Sequence, residues 1–376
     1  MAFLAAEAGL RAARVLVPRI HGLTYSPTVR TAYEEVGSTR ELLEGSYFGY
    51  QPLAETPGLR LSSRGFRTPE YREEKAPGTL RVVVLGDSFA FGANGVPYEA
   101  LWHQVLGREL GAATGRPVEV INLGMPAVGP RFELRLWELE GRRLDADLVV
   151  LGFFVGNDLT DEGDEPLAST FEGDLAQRSV LVRLVRNALR RRTGLAEAAG
   201  GTGGAAAAEG GEVLPLDAGG FDPGAPLLTE EAWLDMEEGR LLAIAGPDTG
   251  RFRRLVAGAN LLLERIARQV EASGARFVLL LIPDEGQVDR ALARRIAERS
   301  GFALDLDRPQ RSLLPWLADR RIPHLDLLPL FRRRHEAGGP PLYRFQDTHW
   351  SVAGNRLAGQ ALAEYVVEEE LVETGR

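Results

Sequence analysis

Five short apolar runs constrain the fold of this chain more than any other feature. They are Arg81–Leu85, Val118–Leu123, Leu148–Phe154, Arg276–Ile282 and Ile322–Leu327. An unbroken aliphatic stretch such as Val82-Val83-Val84-Leu85 suits a strand buried on both faces, as in a parallel sheet. Helical patterns lie between or after these runs. Tyr98–Leu110 spaces Leu101, Trp102, Val105, Leu106 and Leu110 along one face. Pro130–Leu144 and Leu255–Val270 repeat that spacing, and Val352–Val367 reads as a closing helix. Strand alternating with helix predicts an α/β sandwich, doubly wound around a parallel sheet of five strands.

Two regions fall outside this alternation. Residues 1–80 read as an N-terminal helix followed by a turn-rich lead-in, irregular or β-containing, marked by Pro27, Gly45, Pro52, Pro57, Gly58, Gly65 and Pro69. Residues 159–250 separate the third and fourth strands and are too long for a simple crossover. Their centre, about 194–224, is rich in glycine and alanine and has little to bury. Ser179–Leu189 and Leu228–Leu242 on either side carry enough apolar residues for helices. The expected organisation is therefore one domain in two halves, 81–158 and 251–376, interrupted by an insertion that forms a partial cap.

Composition narrows the chemistry. With 376 residues and a net charge of −9, the chain lacks the basic balance of a nucleic-acid binder. The short arginine runs at 190–192 and 332–334 read as solvated surface. The absence of cysteine excludes disulfides, thiolate catalysis and Cys-ligated zinc. No apolar stretch reaches transmembrane length. Met1–Leu10 is mostly apolar, but Glu7 interrupts it and Arg11 and Arg14 follow it, the wrong order for a signal peptide. A remnant of a membrane anchor and a helix packed on the domain both fit it.

Small or polar residues stand where each predicted strand ends: Ser88 after the first, Gly124 after the second, Asn157 and Asp158 after the third, Asp284 after the fourth. The fifth is followed, after a loop, by Asp347-Thr348-His349. A parallel sheet brings such ends to one edge, where open α/β sheets bind ligands. Ser88 is the candidate nucleophile, needing an imidazole to take its proton. His349 can supply one. Asp347, two residues earlier in what reads as an extended segment, can orient that imidazole. The backbone N–H groups of Ser88 and Gly124 and the amide of Asn157 are candidate oxyanion donors.

Four blocks, Gly86-Asp87-Ser88, Asn122-Leu123-Gly124, Gly156-Asn157-Asp158 and Asp347-Thr348-His349, resemble those of the SGNH (GDSL-type) hydrolases. The resemblance runs from Arg81 to about Val367, without the insertion. It implies a flavodoxin-like three-layer sandwich, esterase, lipase or deacetylase activity on acyl esters, and no metal or organic cofactor. It also points toward the cell envelope. Many members space acid and histidine as Asp-x-x-His; here the spacing is Asp-x-His. Asp347-Thr348-His349-Trp350 is similar to the block in the SGNH-like domains of alginate O-acetyltransferases. Hydrolysis and acyl transfer to a polysaccharide both stay open, with a small-molecule or carbohydrate acyl ester as substrate.

Plainer roles compete for each residue. Ser88 also suits a helix N-cap, Gly124 a tight turn, Asn157 a turn and Asp158 a helix cap. Asp87 reads as a structural acceptor shaping the serine turn. Asp284 reads equally as pocket lining and as a loop residue. Phe89 and Trp350 read as packing, as do His21, His103, His324 and His335. A carboxylate-rich metal site for phosphoester hydrolysis, built from Asp87, Asp158, Asp284, Asp347 and His349, is a second class of reading. A non-catalytic carbohydrate-binding subunit is a third.

Overall fold

In the computed structural model the five apolar runs form one all-parallel sheet. The structure describes residues 61–160 and 226–373, apart from 93–95, 127, 227, 248 and 249, together with short stretches between residues 40 and 60. Those stretches pair as two small antiparallel hairpins, β1 (Arg40–Leu42) with β2 (Tyr47–Gly49) and β3 (Glu55–Thr56) with β4 (Leu59–Arg60). The main sheet comprises β5 (Leu80–Gly86), β6 (Val118–Asn122), β7 (Leu148–Phe154), β8 (Arg276–Ile282) and β9 (His324–Asp326), in the order β6-β5-β7-β8-β9. The helices are α1 (Ser88–Phe91), α2 (Trp102–Thr114), α3 (Pro130–Leu139), α4 (Glu230–Ala245), α5 (Arg251–Ala272), α6 (Glu285–Val288), α7 (Arg290–Ser300), α8 (Arg308–Asp319), α9 (Leu328–Glu336) and α10 (Val352–Glu368).

The sheet is buried on both faces because every second strand residue joins a different core. Val82, Val84, Val150 and Leu280 pack with Trp102, Leu106, Leu362 and Phe331. Val83, Leu85, Leu151 and Leu279 pack on the other side with Trp137, Leu262, Ile266 and Leu313. Each aliphatic side chain so buried contributes roughly 1.5–3 kcal/mol, which makes the strand register hard to slip. The architecture is the expected flavodoxin-like sandwich, three layers with five parallel strands. The chain runs outward from β5 to β6, then crosses back to β7, so the order reverses beside β5. The carboxyl ends of β5, β6 and β7 therefore face one crevice.

The helix at Pro130 ends at Leu139, short of the predicted Leu144, and a turn of 3₁₀ helix follows at Gly141–Arg143. Leu228–Leu242 is helical as expected, as α4. Ser179–Leu189, the Gly/Ala-rich 194–224, Met1–Leu10 and His21 lie outside the described residues. No helix among the described residues is long and apolar enough to cross a membrane.

Candidate active site

The serine turn is built by glycine and aspartate. Gly86 ends β5 with φ +143°, and a Cβ there would lie 2.9 Å from the Gly152 carbonyl oxygen on β7. Asp87 then caps α1, its Oδ1 accepting the Phe89 N–H at 2.9 Å. Ser88 is the first residue of α1, so its own N–H is among the helix-start donors that have no intrahelical partner. Asn122, at the end of β6, clamps the turn from the side. Its Nδ2 donates to the carbonyls of Ala90 (2.9 Å) and Arg67 (3.2 Å), and its Oδ1 accepts the Gly124 N–H at 2.9 Å. Gly124 must be glycine, since a Cβ would fall 2.6 Å from that of Ala90.

Asp347 and His349 come from the loop between α9 and α10. The expected extended segment is instead a tight turn. The Arg344 N–H donates to the His349 carbonyl at 3.0 Å, Tyr343 bridges to Trp350, and Gln346 takes the left-handed φ of +50°. Asp347 Oδ1 accepts the His349 backbone N–H at 3.1 Å, so the aspartate folds back over the turn. That same oxygen lies 2.7 Å from His349 Nδ1, and His349 Nε2 lies 2.8 Å from Ser88 Oγ. A carboxylate on Nδ1 assigns the ring proton to that nitrogen and leaves Nε2 as an acceptor for the serine hydroxyl.

A residue that spacing did not single out completes this line. Arg344 Nη1 donates to Asp347 Oδ2 at 3.0 Å, and the arginine is buried. Burial pushes the Asp347 carboxyl up, but His349 and Arg344 outweigh it and hold the group below the usual carboxylate range. The only advance signal was Arg344 lying three residues before Asp347. Asp87, also fully buried, goes the other way: burial raises it above its usual range, against the Phe89 N–H, His349, the Asn157 amide and Arg240.

The remaining candidates sort by contact. Asn157 is buried in the turn after β7, beside Asp87, and its Oδ1 has no hydrogen-bond partner among the described residues. The Gly124 N–H is engaged by Asn122, so as an oxyanion donor it must share its hydrogen between two acceptors. Asp158 Oδ2 accepts the Phe154 N–H at 2.7 Å and closes the turn ending β7, where a cap on a following helix was one expectation. Asp284 caps α6 in a reciprocal capping box with Gln287, a loop role. Phe89 packs on Phe154, His349 and Trp350 at centroid distances of 4.5, 5.1 and 5.1 Å. His103 is buried and pushed down to about 3, chiefly by desolvation. His324 Nδ1 meets the Ile322 carbonyl at 2.8 Å, and His335 stands 3.8 Å from Asp289. Among the described residues no three His, Asp or Glu side chains are grouped so as to hold a metal ion.

A five-stranded parallel sheet with these blocks is what the resemblance to the SGNH, or GDSL-type, hydrolases implies. Residues 247–376 match the family model of the SGNH hydrolase-like domain of the acetyltransferase AlgX. The match holds Asp347 and His349; Ser88, Gly124 and Asn157 precede it. No curated protein matches the sequence. Among solved structures, the lipase/acylhydrolase from Enterococcus faecalis is similar at 13% identity and TM-score 0.42, over 79% of this chain and 99% of that one. A G-D-S-L family lipolytic protein from Desulfitobacterium hafniense shares 14% identity at TM-score 0.38, over 76% of this chain and 98% of that one. An aryl esterase from M. smegmatis shares 14% at TM-score 0.37, over 78% of this chain and all of that one.

Proposed function

We propose that this chain is a serine-dependent enzyme acting on acyl esters through an acyl-enzyme, with residues 81–158 and 251–376 forming one catalytic domain. The observation that carries the reading is the unbroken line Asp347–His349–Ser88, with contacts of 2.7 and 2.8 Å. His349 Nε2 takes the Ser88 proton as Oγ attacks the acyl carbonyl, then returns it to the departing alkoxide. Asp347 steadies the imidazolium and Arg344 steadies Asp347. The oxyanion meets the Ser88 N–H and the Asn157 amide, with Gly124 sharing its N–H. Water, activated by the same histidine, then releases the acid. No step in this sequence calls for a metal or an organic cofactor.

A second reading, acyl transfer to a carbohydrate hydroxyl, is favoured by the acetyltransferase domain whose family model matches residues 247–376. Only the second acceptor differs, so partition decides. Purified protein is given p-nitrophenyl acetate with and without acetyl-free oligosaccharides, and acetate and acetylated sugar are both measured. Hydrolysis predicts acetate alone; transfer predicts sugar product at acetate's expense. Ser88→Ala is expected to lose about 10³-fold or more of either activity, since such a triad works as a unit. An alanine variant that keeps most of its activity refutes the serine mechanism.

A further inference from the structure

Arg240 lies on α4, just before the matched family span, in the insertion that separates the two halves of the sheet. It is 8% exposed. Its Nη1 reaches Glu237 Oε1 at a long 3.4 Å, and its Nε has no hydrogen-bond partner among the described residues. A guanidinium is not brought indoors for one weak contact, because its desolvation costs several kcal/mol unless charge repays it. Around it stand the buried carboxyls of Glu237, Asp284 and Asp87. The guanidinium also sits 5.6 Å above the Phe154 ring. Phe154 packs on Phe89 at 4.5 Å, and Phe89 both receives the Asp87 cap and packs on His349.

We propose that Arg240 is a positioning residue for the Ser88 turn, acting through Asp87 and the Phe154–Phe89 stack rather than on the substrate. This rests on the serine reading given above. Asp87 holds α1 by one oxygen while its Oδ2 has no hydrogen-bond partner among the described residues, so nearby positive charge adds to what the Asn157 amide gives its charged form. Arg240 supplies that charge from the insertion. The packing of α4 on the sheet thereby becomes a condition for aiming Ser88 Oγ at His349.

The test is a mutant cycle read by the rate of Ser88 labelling with a fluorophosphonate and by ester turnover. Arg240→Met is expected to lower the labelling rate and kcat together by about 10- to 100-fold, with KM within about 2-fold. Arg240→Lys should recover most of the loss. Asp87→Asn should cause a loss of similar size, and adding Arg240→Met to it should cost little more. If Arg240→Met does not fold, Glu237→Gln with Arg240→Met removes both charges and takes its place in the cycle. Multiplying losses, a raised KM with intact kcat, or unchanged labelling overturns the proposal. A wild-type protein that the probe never labels at Ser88 instead overturns the serine reading beneath it.

Discussion

Asp347 is held by two partners of different kinds, the His349 imidazole and the permanently charged Arg344 guanidinium. A carboxyl kept below its usual range contributes stability that is fully present above that range and is lost as pH falls through the lower folded value. Arg344→Met removes the permanent positive charge from beside a buried carboxylate. Breaking a buried pair in this way costs about 3–5 kcal/mol. The acid-unfolding midpoint, followed by circular dichroism, should therefore move to higher pH. An unmoved midpoint would mean that Arg344 has no part in setting the Asp347 charge. Asn157 presents a different question, whether its amide serves the turn or the reaction. Asn157→Ala should lower kcat by about 10²- to 10³-fold while leaving Tm and KM little changed, because an oxyanion donor acts only as charge develops. Loss of stability with intact turnover would make it a turn residue.

At the level of elements, the serine turn depends on a strand end that admits no side chain. Gly86 sits at φ +143° with its missing Cβ 2.9 Å from a β7 carbonyl and 3.0 Å from the Ala90 Cβ. Gly86→Ala should cost about 1–3 kcal/mol, read as a lower urea midpoint at unchanged m-value. A neutral result would show that β5 and β7 can part without penalty. The strands and the longer helices were legible because burial on both faces leaves aliphatic runs, and burial on one face leaves a 3.6-residue period. The helices α7, α8 and α9 were less so, since each buries only a few of its residues. Ser88 could be picked out because it follows a buried strand run, and Asp347 and His349 because an aspartate two residues before a histidine precedes a helix start. Asn122 and Arg344 could not, because their work is hydrogen bonding across loops that only the folded turn creates. The extended reading of 347–349 failed for a related reason: no pattern announces that Gln346 will turn left-handed.

Over the whole molecule, distant parts complete one another. The first N–H of α2, at Trp102, is capped by Asn355 Oδ1 on α10, at 3.0 Å and 253 positions away in the chain. His103 follows Trp102 into the same interior. Desolvation holds it neutral down to about 3, whereas an unfolded histidine takes a proton near 6.5. The unfolded state thus binds the extra proton between those values, so stability falls as pH drops through that window. His103→Gln should lessen the fall in unfolding free energy between pH 7 and pH 5, measured by urea denaturation at each. An equal fall in both proteins would assign the acid sensitivity elsewhere.

Ser88 and the histidine 2.8 Å from it are 261 positions apart in the chain. On the ribosome, at about 5–20 residues per second, that separation is a delay of roughly 13–50 s. Throughout that interval Ser88 Oγ has no His349 imidazole beside it, whatever fraction of the sheet has already formed. On the proposed serine reading, the growing polypeptide has no complete centre until the loop that carries His349 closes.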